Sequence, residues 1–173
     1  MITLLIGGAR SGKSALAVEL GRRHPGRVTF VATCPPFDGD LADRIARHRA
    51  ERPDWPTVEE PCDLAGALRT TGDDLVVVDC LTLWVNNLLH RGDGDELIEA
   101  QAVEAADAAA ARRGPTVAIS NEVGMGVHPE HALGRRYRDL LGRVNQVWAA
   151  RAETTLLLVA GRAVRLDDPW KLL

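Results

Sequence analysis

Gly7-Gly8-Ala9-Arg10-Ser11-Gly12-Lys13-Ser14 decides how the rest of this chain is read. The stretch has the spacing G-x-x-x-x-G-K-[ST], follows the apolar run Ile2–Ile6 and opens a helical pattern over Ala15–Arg23. A strand before and a helix after is the context in which that spacing forms a phosphate-binding loop. The glycines let the backbone curl so that successive N–H groups converge on phosphate oxygens, where a Cβ would intrude. The helix that follows adds the positive end of its dipole. Lys13 is placed to reach the β- and γ-phosphates as a mobile charge, and the Ser14 hydroxyl to ligate Mg²⁺. All eight residues are therefore expected to bind a nucleoside triphosphate, with Lys13 also catalytic.

Composition sets the frame around this loop. At 173 residues the chain is long enough for one domain with a single core, and residues 1–173 are read as one nucleotide-binding catalytic domain. Apolar residues at 46 % and charged residues at 26 % describe an ordinary globular protein. The formal charge of −3 offers no global field to draw nucleic acid or anionic lipid, so neither is expected as a partner. Cys34, Cys62 and Cys80 are odd in number and far apart, which argues against a disulfide framework or a structural zinc. The first apolar run is too short for a signal peptide. The segment Leu75–Leu89 is interrupted by Asp79 and falls short of a membrane span, so a cytoplasmic protein is expected.

Outward from the loop, short β-rich runs alternate with helical patterns. Strands are expected over Ile2–Ile6, Arg27–Ala32, Thr57–Val58, Leu75–Val78, Thr116–Ser120 and Thr155–Val159, with Gly161–Leu166 folding back as an antiparallel edge strand. Helices are expected over Asp40–Glu51, Asp63–Leu68, Leu81–Leu89 and Glu96–Arg112, and a long one from Pro129 to Ala152. In that last helix Leu133, Tyr137, Leu140, Leu141, Val144 and Val147 keep the helical period. The alternation implies an α/β fold of the RecA-like phosphate-loop NTPase type: a mostly parallel sheet with helices on both faces. Ligands on such sheets sit at the carboxyl ends of the strands.

Two further positions carry chemistry. Asp79 ends the strand Leu75–Val78, where phosphate-loop proteins place the carboxylate of the Mg²⁺ shell; capping the helix that begins at Cys80-Leu81 is the other reading of the same residue. His48 lies in Arg44-Ile45-Ala46-Arg47-His48-Arg49-Ala50-Glu51-Arg52-Pro53. Neighbouring guanidinium groups would keep its imidazole neutral and nucleophilic and would also neutralise phosphates. A basic, solvent-facing helix is the plainer reading of those residues. His24, His90, His128 and His131 fall in loops or at helix edges.

The chain resembles the bifunctional adenosylcobinamide kinase / adenosylcobinamide-phosphate guanylyltransferase family of cobalamin assembly. The resemblance rests on Gly7–Ser14 with its filling Gly-Ala-Arg-Ser, Ala32-Thr33, and Arg44-Ile45 through His48-Arg49 to Arg52-Pro53. It continues through Glu59-Glu60-Pro61, Asp79-Cys80-Leu81-Thr82 with Asn86-Asn87-Leu88, and Ser120-Asn121-Glu122-Val123-Gly124-Met125-Gly126-Val127. Arg135, Arg138-Asp139, Gly142 and Asn145-Gln146 complete it. The resemblance implies two reactions: phosphoryl transfer from ATP or GTP to adenosylcobinamide, then GMP transfer from GTP to adenosylcobinamide phosphate through a GMP–histidine intermediate. It matches the histidine to His48 and places Ala32, Thr33, Cys34, Arg49, Ala50, Glu51, Arg52 and Glu60 around the nucleotide, beside the Asp79 of the strand-end reading, which with Ser14 is expected to hold Mg²⁺. It also implies a homo-oligomer, a trimer. Glu122 is open between serving the acceptor hydroxyl, serving the metal, and shaping a loop whose glycines only turn the chain. Two other functions stay open on residues alone: a kinase of another small alcohol, and a GTP-dependent switch. The switch lacks an Asn-Lys-x-Asp guanine signature.

Overall fold

The first strand, β1 (Ile2–Gly7), is a run of aliphatic residues that only a doubly covered strand can bury, and it lies near the middle of a seven-stranded sheet. The computed structural model describes residues 1–34 and 53–173. The helix expected over Asp40–Glu51, with His48 and Arg49–Arg52, lies outside the described residues. The remaining strands are β2 (Val28–Ala32), β3 (Thr57–Glu59), β4 (Leu75–Asp79), β5 (Thr116–Asn121), β6 (Thr154–Val159) and β7 (Arg162–Leu166). Their spatial order is β3-β2-β4-β5-β1-β6-β7. All neighbours are parallel except β6 and β7, which pair antiparallel as expected for the last strand.

The helices are α1 (Lys13–Arg23), α2 (Leu64–Thr70), α3 (Leu81–Arg91), α4 (Asp95–Ala111) and α5 (Ala132–Ala149), with a 3₁₀ turn at Pro169–Lys171. Because strand side chains alternate between faces, each strand feeds two cores. One face carries Leu5, Val28, Phe30, Leu75, Val77, Val117, Ile119 and Leu158, covered by Leu16, Ala17 and Leu20 of α1. The other carries Leu4, Ile6, Val31, Val76, Val78 and Ala118, covered by α2–α5, with Trp84 and Trp148 as its largest fully buried side chains. Ala102, Ala105, Ala106 and Ala109 of α4 are wholly buried, and such small side chains let the neighbouring helices approach closely. No helix among the described residues is long and apolar enough to cross a membrane.

Three details depart from the sequence reading. The long helix begins at Ala132 rather than Pro129, because His131 is extended and the carbonyls of Pro129 and Glu130 accept from Arg135 Nη1 at 3.1 and 2.5 Å. Its regular part stops at Ala149. Beyond it, Arg151 and Ala152 bond three residues back, to Trp148 and Ala149, so the end tightens instead of continuing. Leu133, read as part of the apolar stripe, is exposed in that first turn.

Candidate active site

The phosphate-loop sequence joins the end of β1 to the start of α1, at the carboxyl edge of the sheet. Gly12 takes φ 104° and caps α1, and Arg10 takes φ 56°, so the loop turns through left-handed backbone at two points. At Gly7 the need is for space: a Cβ there would lie 2.3 Å from the Leu158 carbonyl oxygen and 2.8 Å from Ser11 Oγ. The loop is also held from outside. Gly161 N–H, in the β6–β7 turn, donates to the Ser11 carbonyl at 2.9 Å.

Lys13 is buried and folded back over the loop. Its Nζ donates to the carbonyls of Gly7 (2.8 Å) and Gly8 (2.7 Å) and approaches Ser11 Oγ at 3.4 Å. Burial pulls the Lys13 ammonium below its ordinary pKa, and the nearby Cys80 and Asp79 oppose that shift. The Cys80 thiol is itself pushed up to about 12, first by burial and then by the adjacent Asp79 carboxylate, so at neutral pH Asp79 is the charge that Lys13 feels. Asp79 is the last residue of β4, and the N-cap position of α3 belongs to Cys80 rather than to Asp79.

Strand ends next to Asp79 are locked by side chains. Thr33, wholly buried just past β2, accepts from Cys80 N–H at 2.8 Å and donates its hydroxyl to the Cys80 carbonyl at 2.7 Å. Its backbone N–H donates to the Asp79 carbonyl at 3.1 Å. Asn87 of α3 spans to the neighbouring loop, donating Nδ2 to the carbonyls of Thr33 (2.7 Å) and Pro61 (3.0 Å). Trp84 Nε1 donates to the Cys62 carbonyl at 2.7 Å. Glu60 follows β3, and its Oε1 accepts the backbone N–H groups of Cys62 (2.9 Å) and Asp63 (2.8 Å) ahead of α2. That oxygen is thus already serving the chain's own backbone.

On the other side of Asp79 stands the end of β5. Ser120 Oγ bonds Asn145 Oδ1 at 2.5 Å, Asn145 Nδ2 donates to the Asn121 carbonyl at 3.0 Å, and Asn121 N–H donates to Thr82 Oγ1 at 2.9 Å. Tyr137, read from sequence only as part of an apolar stripe, donates its hydroxyl to the Thr82 carbonyl at 3.2 Å; burial raises its pKa. Glu122 N–H donates to the Gly7 carbonyl at 3.2 Å, and its carboxylate accepts from Gly124 N–H. Glu122 therefore shapes its own loop.

The fold thus brings together Gly7–Ser14, Ala32–Cys34, Glu60 and Asp79, four separate stretches of sequence, at one edge of the sheet. His48, Arg49, Ala50, Glu51 and Arg52 lie outside the described residues. Thr82, Asn87, Asn145 and Tyr137 carry no site role in the sequence reading. Thr82, Asn87 and Asn145 belong to the quoted motif blocks, and that is the signal in the sequence that points to them.

The family model for cobinamide kinase / cobinamide phosphate guanyltransferase (CobU) matches residues 3–166. Among curated relatives, the bifunctional adenosylcobalamin biosynthesis protein CobP of Pseudomonas aeruginosa is 42% identical over 164 residues, covering 93% of this chain and 94% of that protein. The bifunctional adenosylcobalamin biosynthesis protein CobU of Escherichia coli is 39% identical over 181 aligned residues, covering 96% of this chain and 99% of that protein. Solved structures with the same fold are more distant in sequence. A type III secretion ATPase of pathogenic bacteria superposes with TM-score 0.59 at 12% identity, over 91% of this chain and 51% of that one. The flagellar accessory protein FlaH of Methanocaldococcus jannaschii superposes at 0.50 and 14% identity, over 96% of this chain and 77% of that one. At those identities the likeness bears on the fold alone, and it agrees with the phosphate-loop architecture. With a family model spanning nearly the whole chain and near-full-length relatives at about two residues in five, this chain belongs to the cobinamide kinase / cobinamide phosphate guanyltransferase family.

Proposed function

We propose that this chain, acting as a single catalytic domain, phosphorylates adenosylcobinamide with ATP or GTP and then transfers GMP from GTP to adenosylcobinamide phosphate. The observation that carries the reading is the meeting of the phosphate loop with Asp79 at one sheet edge, in a member of this family. Membership favours it over the other-alcohol kinase and the switch.

In the first step the acceptor hydroxyl oxygen bonds to the γ-phosphorus, the β–γ bridging oxygen leaves with the nucleoside diphosphate, and the hydroxyl proton is lost. The loop's N–H groups and Lys13, freed from the Gly7 and Gly8 carbonyls, stabilise charge on the phosphoryl oxygens. In the second step a ring nitrogen of His48 bonds to the α-phosphorus of GTP and pyrophosphate leaves. An oxygen of the acceptor phosphate then bonds to the same phosphorus and displaces the imidazole. Arg49, Ala50, Glu51, Arg52, Ala32, Thr33, Cys34 and Glu60 line the nucleotide in this reading, with Glu60 using the capacity its backbone bonds leave.

A hydroxyl and a carboxylate suit a hard cation that keeps waters and phosphate oxygens as its other ligands, so Ser14 and Asp79 would hold Mg²⁺. Such a cation neutralises phosphate charge. Among the described residues no cluster of three or more His, Cys, Asp or Glu offers an all-protein metal cage, which accords with a nucleotide-borne metal. A trimer in the cytoplasm completes the proposal; a monomeric mass by light scattering would count against the assembly.

The test is a trap of the intermediate. Protein incubated with Mg²⁺ and GTP labelled at the α-phosphate is denatured in base. Label should stay with the protein, be released by acid, and be absent from His48→Ala. That variant should lose guanylyl transfer and keep kinase activity, whereas Lys13→Ala impairs both. Loss of kinase activity alone in His48→Ala would overturn the assignment.

A further inference from the structure

β5 lies between the strand that carries the phosphate loop and the strand that ends in Asp79. In register, Asn121 stands opposite Gly7, and Ile119 opposite Asp79. Side-chain alternation then fixes the face. Val117 and Ile119 belong to the core under α1, as do Leu5 of β1 and Leu75 and Val77 of β4. Asn121, Gly7 and Asp79 continue those three rows on that same face. The Asn121 side chain is thus set between the phosphate loop and Asp79, on the side of the sheet where the loop runs into α1.

The attachment of this residue is unusual. Its backbone N–H is taken by Thr82 Oγ1 from α3, and its carbonyl by Asn145 Nδ2 from α5. The residue after it is tied by its N–H to the Gly7 carbonyl. Its own carboxamide makes no hydrogen bond among the described residues. Three bonds therefore hold the main chain still on either side of a polar side chain that the described residues leave unbonded.

We propose that the Asn121 carboxamide donates a hydrogen bond to the outermost phosphoryl group of the bound triphosphate, an inference that rests on the nucleotide site proposed above. The chemistry favours an amide at this point. It donates to a phosphoryl oxygen without carrying a charge of its own, and its oxygen remains free to accept from a water or from the incoming acceptor. A carboxylate of the same size would face phosphate with like charge. In the kinase step the contacted group is the one transferred; in guanylyl transfer it belongs to the departing pyrophosphate. Asn121 would then serve both reactions from one position.

Substitution tests this without needing the corrinoid. Binding of Mg²⁺ with the β,γ-imido analogue of ATP, and of Mg²⁺ with ADP, is measured by calorimetry for the unsubstituted protein, Asn121→Ala and Asn121→Asp. Removing one charge-assisted bond should weaken the triphosphate analogue about ten-fold or more in Asn121→Ala, with ADP changed by no more than about two-fold. Asn121→Asp should be weaker still toward the triphosphate, although it is the better steric match. A purely structural asparagine would show the opposite order, with Asp rescuing what Ala loses. Equal losses for both nucleotides, Asp binding as well as Asn, or failure of both variants to fold would each overturn the proposal. If the unsubstituted protein binds both nucleotides and the variants match it, this inference alone falls. If it binds neither, the nucleotide site itself falls with it.

Discussion

Replacing Thr33 by valine tests how the strand ends beside Asp79 are held. Valine keeps the shape of threonine and exchanges the hydroxyl for a methyl. Among the described residues that hydroxyl is the one partner of the Cys80 N–H (2.8 Å), and it also donates to the Cys80 carbonyl (2.7 Å), at a residue with no solvent exposure. The Cys80 carbonyl keeps the Trp84 N–H at 3.1 Å, so valine leaves one buried group, the Cys80 N–H, unpaired at roughly 1–3 kcal/mol and removes a second bond to the carbonyl worth about 1 kcal/mol. The new methyl returns about 1 kcal/mol of apolar burial. A net loss near 2 kcal/mol corresponds to a fall in Tm of about 4–8 °C for a chain of this length. Thr33→Ser, which keeps the hydroxyl and loses only a methyl, should lose about 1 kcal/mol. Urea unfolding of the three proteins, followed by circular dichroism, measures the difference. Thr33→Val as stable as Thr33→Ser, at equal m-value, would refute the argument that this hydroxyl closes the junction, since about 1 kcal/mol should separate them.

Other expectations concern separate parts of the molecule. Because the Cys80 thiol sits at about 12 against an ordinary value of 9.0, the folded protein keeps this proton at pH values where the unfolded chain has released it. Stability should fall as pH rises above 9 toward 12, with a slope of up to about 1.4 kcal/mol per pH unit from this group. Denaturant midpoints for Cys80→Ala across that range should show a shallower decline; parallel profiles would contradict the assignment. The β6–β7 turn places Ala160 at φ 51° and Gly161 at φ 72°, the pair of positive angles that a two-residue hairpin turn of type I′ requires. Asparagine tolerates that conformation better than alanine, so Ala160→Asn should gain about 0.5–1 kcal/mol and raise Tm by about 1–4 °C. A lower Tm would show that the side chain at 160 has another task.

Local physics made several elements readable. β1, β4 and β5 are short aliphatic runs that suit strands buried on both faces, and α3–α5 lie within a few residues of the helices expected from sequence. The start of α5 was not readable in that way. Pro129 is a common opening residue for helices, but Arg135 reaches back to the Pro129 and Glu130 carbonyls and holds them in a non-helical lead-in. The roles of Thr33, Asn87, Asn145 and Tyr137 were equally hidden. A side chain that closes a gap between two loops carries no local pattern, because its partners are 24 to 55 positions away.

Spacing along the chain set the phosphate loop, the alternation of strands and helices, and the carboxylate at the end of a strand. The tertiary structure alone decided that β5 stands between β1 and β4, because strand order is set by how the faces pack and not by neighbours in sequence. That placement puts Asn121 rather than Asp79 beside the loop's own strand. On the other side of β1, the pairing with β6 makes Leu158 the wall against which Gly7 has no room for a side chain.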